Sequence, residues 1–165
     1  MMKKVPLIFG ICFLVACNFF NQEKSKGFDN LLEQYFQESL ELYRINATFL
    51  GDHRYNDSLP DFLSPDFLAK QKRFLTFYIE RLNHFDDQHL TSEELMSKNI
   101  LIRDLKLELK GISFNKDLMP IDQMWTFQLT MGQLASGKGA QPFVTPDDYR
   151  NWLVRLEGYI NWMSS

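Results

Sequence analysis

The sequence predicts an all-α fold, an irregular helical bundle of about four main helices with long loops, preceded by a signal peptide. Three observations carry this. Apolar residues recur at helical spacing in several separate stretches, capping signals open most of those stretches, and no strand-period alternation competes with them. No internal repeat is visible.

The first helix is read from about Phe28 to Arg44. Phe28, Leu31, Leu32, Tyr35, Phe36, Leu40 and Tyr43 form one stripe, with Asp29, Glu33, Gln37, Glu38 and Glu41 opposite. Residues 45–60 break the pattern with Gly51 and a cluster of Asp, Asn and Ser, and are read as loop. Ser64-Pro65-Asp66 starts the second helix. Serine caps the free N–H groups, proline fits the first helical position, and the acid faces the positive end of the helix dipole. Phe67, Leu68, Phe74, Leu75, Tyr78, Leu82 and Phe85 give it an apolar face.

A turn at residues 86–90 leads to Thr91-Ser92-Glu93-Glu94, whose spacing is that of a capping box. The third helix then carries Leu95, Ile102, Leu105 and Leu109, and Gly111 is expected to end it in a left-handed cap. Ile100, Leu101 and Leu107 widen its stripe, which predicts burial on more than one side. A short helix is expected over Phe127 to Leu134, followed by glycine-marked loop at Gly137 and Gly139. Thr145-Pro146-Asp147-Asp148 repeats the cap, proline and acid start. The helix it opens places Tyr149, Trp152, Leu153, Leu156, Ile160 and Met163 along one face, which still runs as the chain reaches Ser165. That unfinished stripe is read as the early end of a longer ancestral chain.

The chain of 165 residues has room for about one domain of roughly 150 residues once a leader is subtracted. Its division is read as 1–16 signal peptide, 17–27 flexible tether, and 28–165 helical portion of a larger domain. Lys3 and Lys4 precede an apolar run from Val5 to Val15, too short to span a bilayer, which takes about 20 residues. Leu14-Val15-Ala16-Cys17 looks like the lipobox of bacterial lipoprotein precursors. The resemblance implies cleavage before Cys17, a diacylglycerol on its thiol, and a membrane as partner through the lipidated N-terminus. Asn18, rather than aspartate, follows Cys17. This favours a bacterial envelope location on the outer membrane if the host is Gram-negative. Cys12 leaves with the leader and Cys17 is lipidated, so no disulfide is expected.

A net charge of −3 gives no footprint for nucleic acid. Aromatic content of 15% requires a dense core or a covering surface. Catalytic signatures are missing. There is no His-Glu-x-x-His, and His53, His84 and His89 share no helical face. There is no Gly-x-Ser-x-Gly, and Ala135 to Gly139 lacks the first glycine and Lys-Ser/Thr ending of a phosphate loop. Two polar loop stretches remain, Leu50 to Asp57 and Met119 to Trp125. They are either buried corners that satisfy local backbone or the lining of a ligand groove, with Asp52, His53, Arg54, Asp122, Gln123 and Trp125 as its candidates and a peptide as its ligand.

These stretches also carry a family resemblance. Ala47 to Asp57 with Leu59-Pro60-Asp61, then Pro120-Ile121-Asp122-Gln123-Met124, then Gln141-Pro142-Phe143 with Tyr149, Trp152 and Arg155 to Tyr159, resemble successive blocks of the bacterial domain of unknown function 885 family. The resemblance implies a long, exported, nearly all-helical protein, often a lipoprotein, with zinc-dependent peptidase character. It also implies that the family's zinc-binding His-Glu motif lies far downstream of the matched region. No catalytic or metal-binding residue is therefore expected here, no cofactor is expected in this chain, and zinc belongs to a full-length relative. Two readings follow: a lipid-anchored N-terminal portion of a peptidase-like protein, inactive alone, or a standalone helical lipoprotein that binds a partner.

Overall fold

The computed structural model describes residues 25–114 and 126–164. The leader, the tether up to residue 24, and the Met119 to Trp125 stretch lie outside the described residues. Among the described residues the secondary structure is helical throughout: α1 Lys26–Leu42, α2 Arg44–Phe49, α3 Pro65–Asn83, α4 Ser92–Ile112, α5 Phe127–Ala135 and α6 Pro146–Ser164. Short 3₁₀ turns at His53–Tyr55 and Asp87–His89 complete the order. The four long helices are those the sequence predicts. The region read as loop contains the extra helix α2, and α1 starts ahead of Phe28, at Lys26.

The helix starts follow their capping residues. Ser64 Oγ accepts from the Phe67 N–H at 3.2 Å ahead of Pro65. Thr91 Oγ1 accepts from Glu94 N–H at 3.2 Å, while Glu94 Oε2 accepts from Thr91 N–H at 2.8 Å. The other oxygen of Glu94 accepts from the Ser25 N–H at 2.7 Å, and Ser25 Oγ caps α1 through Phe28 N–H. One buried carboxylate thus ties the starts of α1 and α4 together. Thr145 and Asp148 form the equivalent reciprocal pair at α6, with Thr145 N–H donating to Asp148 at 2.7 Å.

Helices α1, α3 and α4 enclose the larger core, in which Phe28, Leu75, Tyr78, Leu82 and Leu105 are at most 1% exposed. The α3–α4 connection is closed by Lys98, whose buried ammonium donates to the Phe85 carbonyl at 2.6 Å and pairs with Asp87 at 2.7 Å. A second core gathers Met131 and Leu134 of α5 with Trp152 of α6, flanked by Phe143 and Tyr159. Phe62, Phe127, Tyr159 and Trp162 join it as an aromatic cluster, with Phe127 and Trp162 ring centres 5.0 Å apart. Gly158 lets α6 lie on the chain at Leu59: a Cβ there would stand 2.8 Å from the Leu59 carbonyl oxygen.

Three expectations are corrected. Gly111 does not make a left-handed cap; α4 runs through it to Ile112, and the positive-φ glycines among the described residues are Gly51 and Gly137. Helix α4 is not buried on several sides, since Ile100 and Leu107 are exposed. The inward face of α6 is turned by about one residue: Trp152, Arg155 and Trp162 are buried, whereas Tyr149, Leu153, Ile160 and Met163 are exposed. The large indoles and the hydrogen bonds of Arg155 outweigh the aliphatic stripe as the buried side.

Candidate functional site

The polar stretch around residues 47–58 is a corner built on α2 and the 3₁₀ turn, and its centre is Arg155 from α6. Gly51, at φ 81°, allows the reversal after α2. Asp52 Oδ1 then caps the 3₁₀ turn, accepting from Arg54 N–H at 3.0 Å. Arg155 is fully buried. Its Nε donates to the Ser58 carbonyl at 3.2 Å, Nη1 to Gln141 Oε1 at 2.6 Å, and Nη2 to Thr48 Oγ1 at 2.8 Å and to the Tyr55 carbonyl. Thr48 passes the chain on, donating to Asn56 Oδ1 at 2.8 Å, and Asn56 Nδ2 faces His53 Nδ1 at 3.1 Å.

Burial pulls the Arg155 guanidinium down to about 10, with Asp57 acting against it, so it is charged at neutral pH. Its hydrogen-bond partners are neutral acceptors. Such a hub fixes backbone; it contains no nucleophile beside a base.

A cavity of about 430 Å³ opens between the end of α1, α2, the start of α3 and α5. Leu42, Phe49, Phe62, Phe67 and Phe127 supply apolar wall, and Tyr43, Arg44, Asn46, Gln71 and Thr130 supply polar groups. From its wall the Tyr43 hydroxyl donates to Glu108 Oε1, while Gln71 Nε2 donates to the same carboxylate at 2.9 Å. Burial first, and then the bond to Glu108, push the Tyr43 hydroxyl well above the usual tyrosine range. A smaller cavity of about 260 Å³ adjoins it and shares Leu42, Arg44, Pro60 and Phe67.

Of the residues singled out from sequence, Asp52, His53 and Arg54 are brought together in the corner. Arg54 clasps Asp52 through Nε at 2.9 Å and Nη2 at 2.5 Å, and reaches Gln37 at 2.6 Å. That clasp holds the Asp52 carboxyl below the usual range. None of the three lines the larger cavity. Cys17, Asp122, Gln123 and Trp125 lie outside the described residues. Sequence reasoning missed the meeting of Tyr43, at the α1–α2 junction, with Gln71 of α3 and Glu108 of α4, and it missed the hub role of Arg155. The one signal for Arg155 is its place between Trp152 and Tyr159, where a helix turn carries it onto the aromatic side.

Among the described residues no group of three or more His, Cys, Asp and Glu gathers where a metal ion could be held. His84 Nδ1 is bonded to the Glu80 carbonyl at 2.7 Å and His89 faces Asp86 at 3.6 Å. Among the described residues no helix is long and apolar enough to cross a membrane.

The class of protein defined so far is an all-helical one with a buried arginine hub and an aromatic-walled cavity. The chain belongs to the bacterial family of proteins of unknown function designated DUF885, whose pattern matches residues 45–165. The match spans α2 to α6 and includes the corner and Arg155. No curated protein and no solved structure matches the chain.

Proposed function

We propose that this chain is the lipid-anchored, non-catalytic helical portion of an exported, peptidase-like protein, in which it serves as a platform for further helices. The observation that carries the reading is the second apolar face of α6. Tyr149, Leu153, Ile160 and Met163 are 55–61% exposed although the adjacent face of the same helix is already buried. With Leu156, which is itself partly buried against the second core, they follow a 4-3-4-3 spacing, that of a seam along which a helix receives another helix. Family membership supports the context, and the corner held by Arg155 supports a structural rather than a reactive role for the 47–58 stretch.

The DNA beyond the Ser165 codon tests the reading. A continuation, in the same or a shifted frame, that encodes a His-Glu-x-x-His-like helix agrees with it; unrelated sequence favours a standalone binding module. The purified chain is expected to hydrolyse no small peptides with added zinc, and chelator-sensitive hydrolysis with stoichiometric zinc would overturn the non-catalytic assignment. For the anchor, Cys17→Ser is expected to abolish acyl labelling and release the chain from membranes. Unchanged labelling would remove the anchor from the reading.

A further inference from the structure

We propose that the outer face of α4 is a dimerisation surface, on which a second copy of this chain packs its own α4 antiparallel. This stands on the described residues of α4 and depends neither on the peptidase-like relation nor on the exposed face of α6.

The outer face is apolar where a solvated helix is polar. Lys98 and Leu105 are buried on the inner side of α4, while Met96, Ile100, Leu107 and Phe114 on the other side are 46–64% exposed. None of these four belongs to either core. Glu93, Arg103 and Lys110, also exposed, fall between them and complete a 3-4-3-4-3-4 spacing from Glu93 to Phe114. That is the seam of two helices packed side by side. The positions flanking the seam are mostly short: Ser92, Ser97, Asn99, Gly111 and Ser113. Serine, asparagine and glycine are weaker helix formers than the lysine or glutamate a solvated face would carry, and short side chains let a second helix come close.

Charge complementarity names the occupant and its direction. Glu93 opens the seam and Lys110 ends it, and neither enters an ion pair among the described residues. A parallel copy would set glutamate against glutamate and lysine against lysine, which repels. An antiparallel copy sets Glu93 of each chain against Lys110 of the other. Met96 then meets Leu107, and Ile100 meets Arg103. The Arg103 guanidinium is already held by Asp104 of its own helix, through Nε at 3.0 Å and Nη2 at 2.8 Å, so its charge has a counter-ion and its stem can cover Ile100. In this register the two-fold axis passes between Leu101 and Ile102, at the middle of Ser92–Ile112, so the helix is overlapped along its whole length of about 32 Å. The seam is thus complementary to itself, as an isologous interface requires. The helix dipole also favours an acid first and a base last, but it does not call for apolar residues between them.

The test is sedimentation velocity on the purified full chain over a concentration series. The wild-type chain is expected to dimerise reversibly. Leu107→Lys, Glu93→Lys and Lys110→Glu should each weaken the dimer by at least about tenfold, because each buries an unpaired charge or sets like charges together. A mixture of Glu93→Lys chains with Lys110→Glu chains restores opposite charges at both ends and should recover the dimer. Leu153→Lys, equally exposed but on α6, should leave it unchanged. The substituted side chains are all exposed, so the cores are kept, and association made elsewhere in the chain is common to all variants and cancels in the comparison. A chain that stays monomeric at every concentration would overturn the proposal. So would single variants of α4 that dimerise like the wild type, a mixture no tighter than its components, or a dimer that Leu153→Lys removes.

Discussion

Replacing Arg155 with methionine keeps the aliphatic stem in place and removes the guanidinium, and the size of the effect can be worked from its contacts. Four acceptors lose a donor: Thr48 Oγ1, Gln141 Oε1 and the carbonyls of Tyr55 and Ser58. A buried acceptor left without its donor costs about 1–3 kcal/mol. Taking the low end for each, because the loop carbonyls lie near the surface, gives about 4 kcal/mol. Relief from burying a cation returns part of this, on the order of 1 kcal/mol, so the net loss is about 3 kcal/mol. With a urea m-value of about 2 kcal/mol/M, the unfolding midpoint should fall by about 1.5 M. Amide hydrogen exchange adds a local readout: residues 47–58 should exchange faster while the α3–α4 amides keep most of their protection. Arg155→Lys should not rescue, because one ammonium cannot reach acceptors spread from Thr48 to Gln141. A loss below about 1 kcal/mol, or full rescue by lysine, would show that the corner stands without the fork and would refute the reasoning.

Three further outcomes are expected. Gly158→Ala should cost about 1–3 kcal/mol in thermal unfolding, because the new methyl meets the Leu59 carbonyl oxygen at 2.8 Å and backbone must move; an unchanged melting temperature would contradict that close approach. Glu94→Ala should cost about 2 kcal/mol by releasing the Thr91 and Ser25 N–H groups at two helix starts, whereas Glu93→Ala, exposed on the same turn, should cost far less. In acid, backbone N–H groups at Thr145 and Val144 hold the Asp148 carboxyl below its ordinary value. A depressed folded-state value means that its contribution is complete above about pH 4 and is lost as pH falls through the folded value. Asp148→Asn should therefore flatten the acid limb of a melting-temperature profile taken downward from about pH 5, and an unaltered limb would exclude this cap as a contributor.

The long helices were legible because their starts are written in local chemistry. Ser64-Pro65-Asp66, Thr91 to Glu94 and Thr145-Pro146 act on backbone within one turn, and the structure uses each as a start. Helix α2 was hidden because Arg44–Phe49 is too short to show a period and is held by its neighbours rather than by propensity. Gly111 misled because glycine permits a left-handed cap without requiring one. The face of α6 was read one residue off because hydropathy ranks Leu153 and Ile160 above Arg155, while the structure gives the buried side to an arginine that long-range acceptors satisfy. Those acceptors sit 14 to 107 residues away, beyond any local pattern. The loop candidates Asp52, His53 and Arg54 did meet in space, yet none of them lines the cavity, whose wall comes from α1, α2, α3, α5 and the loop at residues 59–62.

The arginine hub also sets an order of assembly. Thr48 and Arg155 are separated by 107 residues, so at about 5–20 residues per second the corner waits on the order of 5–20 s during synthesis for its donor. The α1, α3 and α4 core needs no such partner and can close while α6 is still being made. Until then the carbonyls of Tyr55 and Ser58 are bonded to water, and α2 is held by its local contacts alone, such as Arg44 on Ser58 and Thr48 on Asn56. A kinetic trace is therefore expected to show the aromatic cluster around Trp162 forming together with the corner, after the first core.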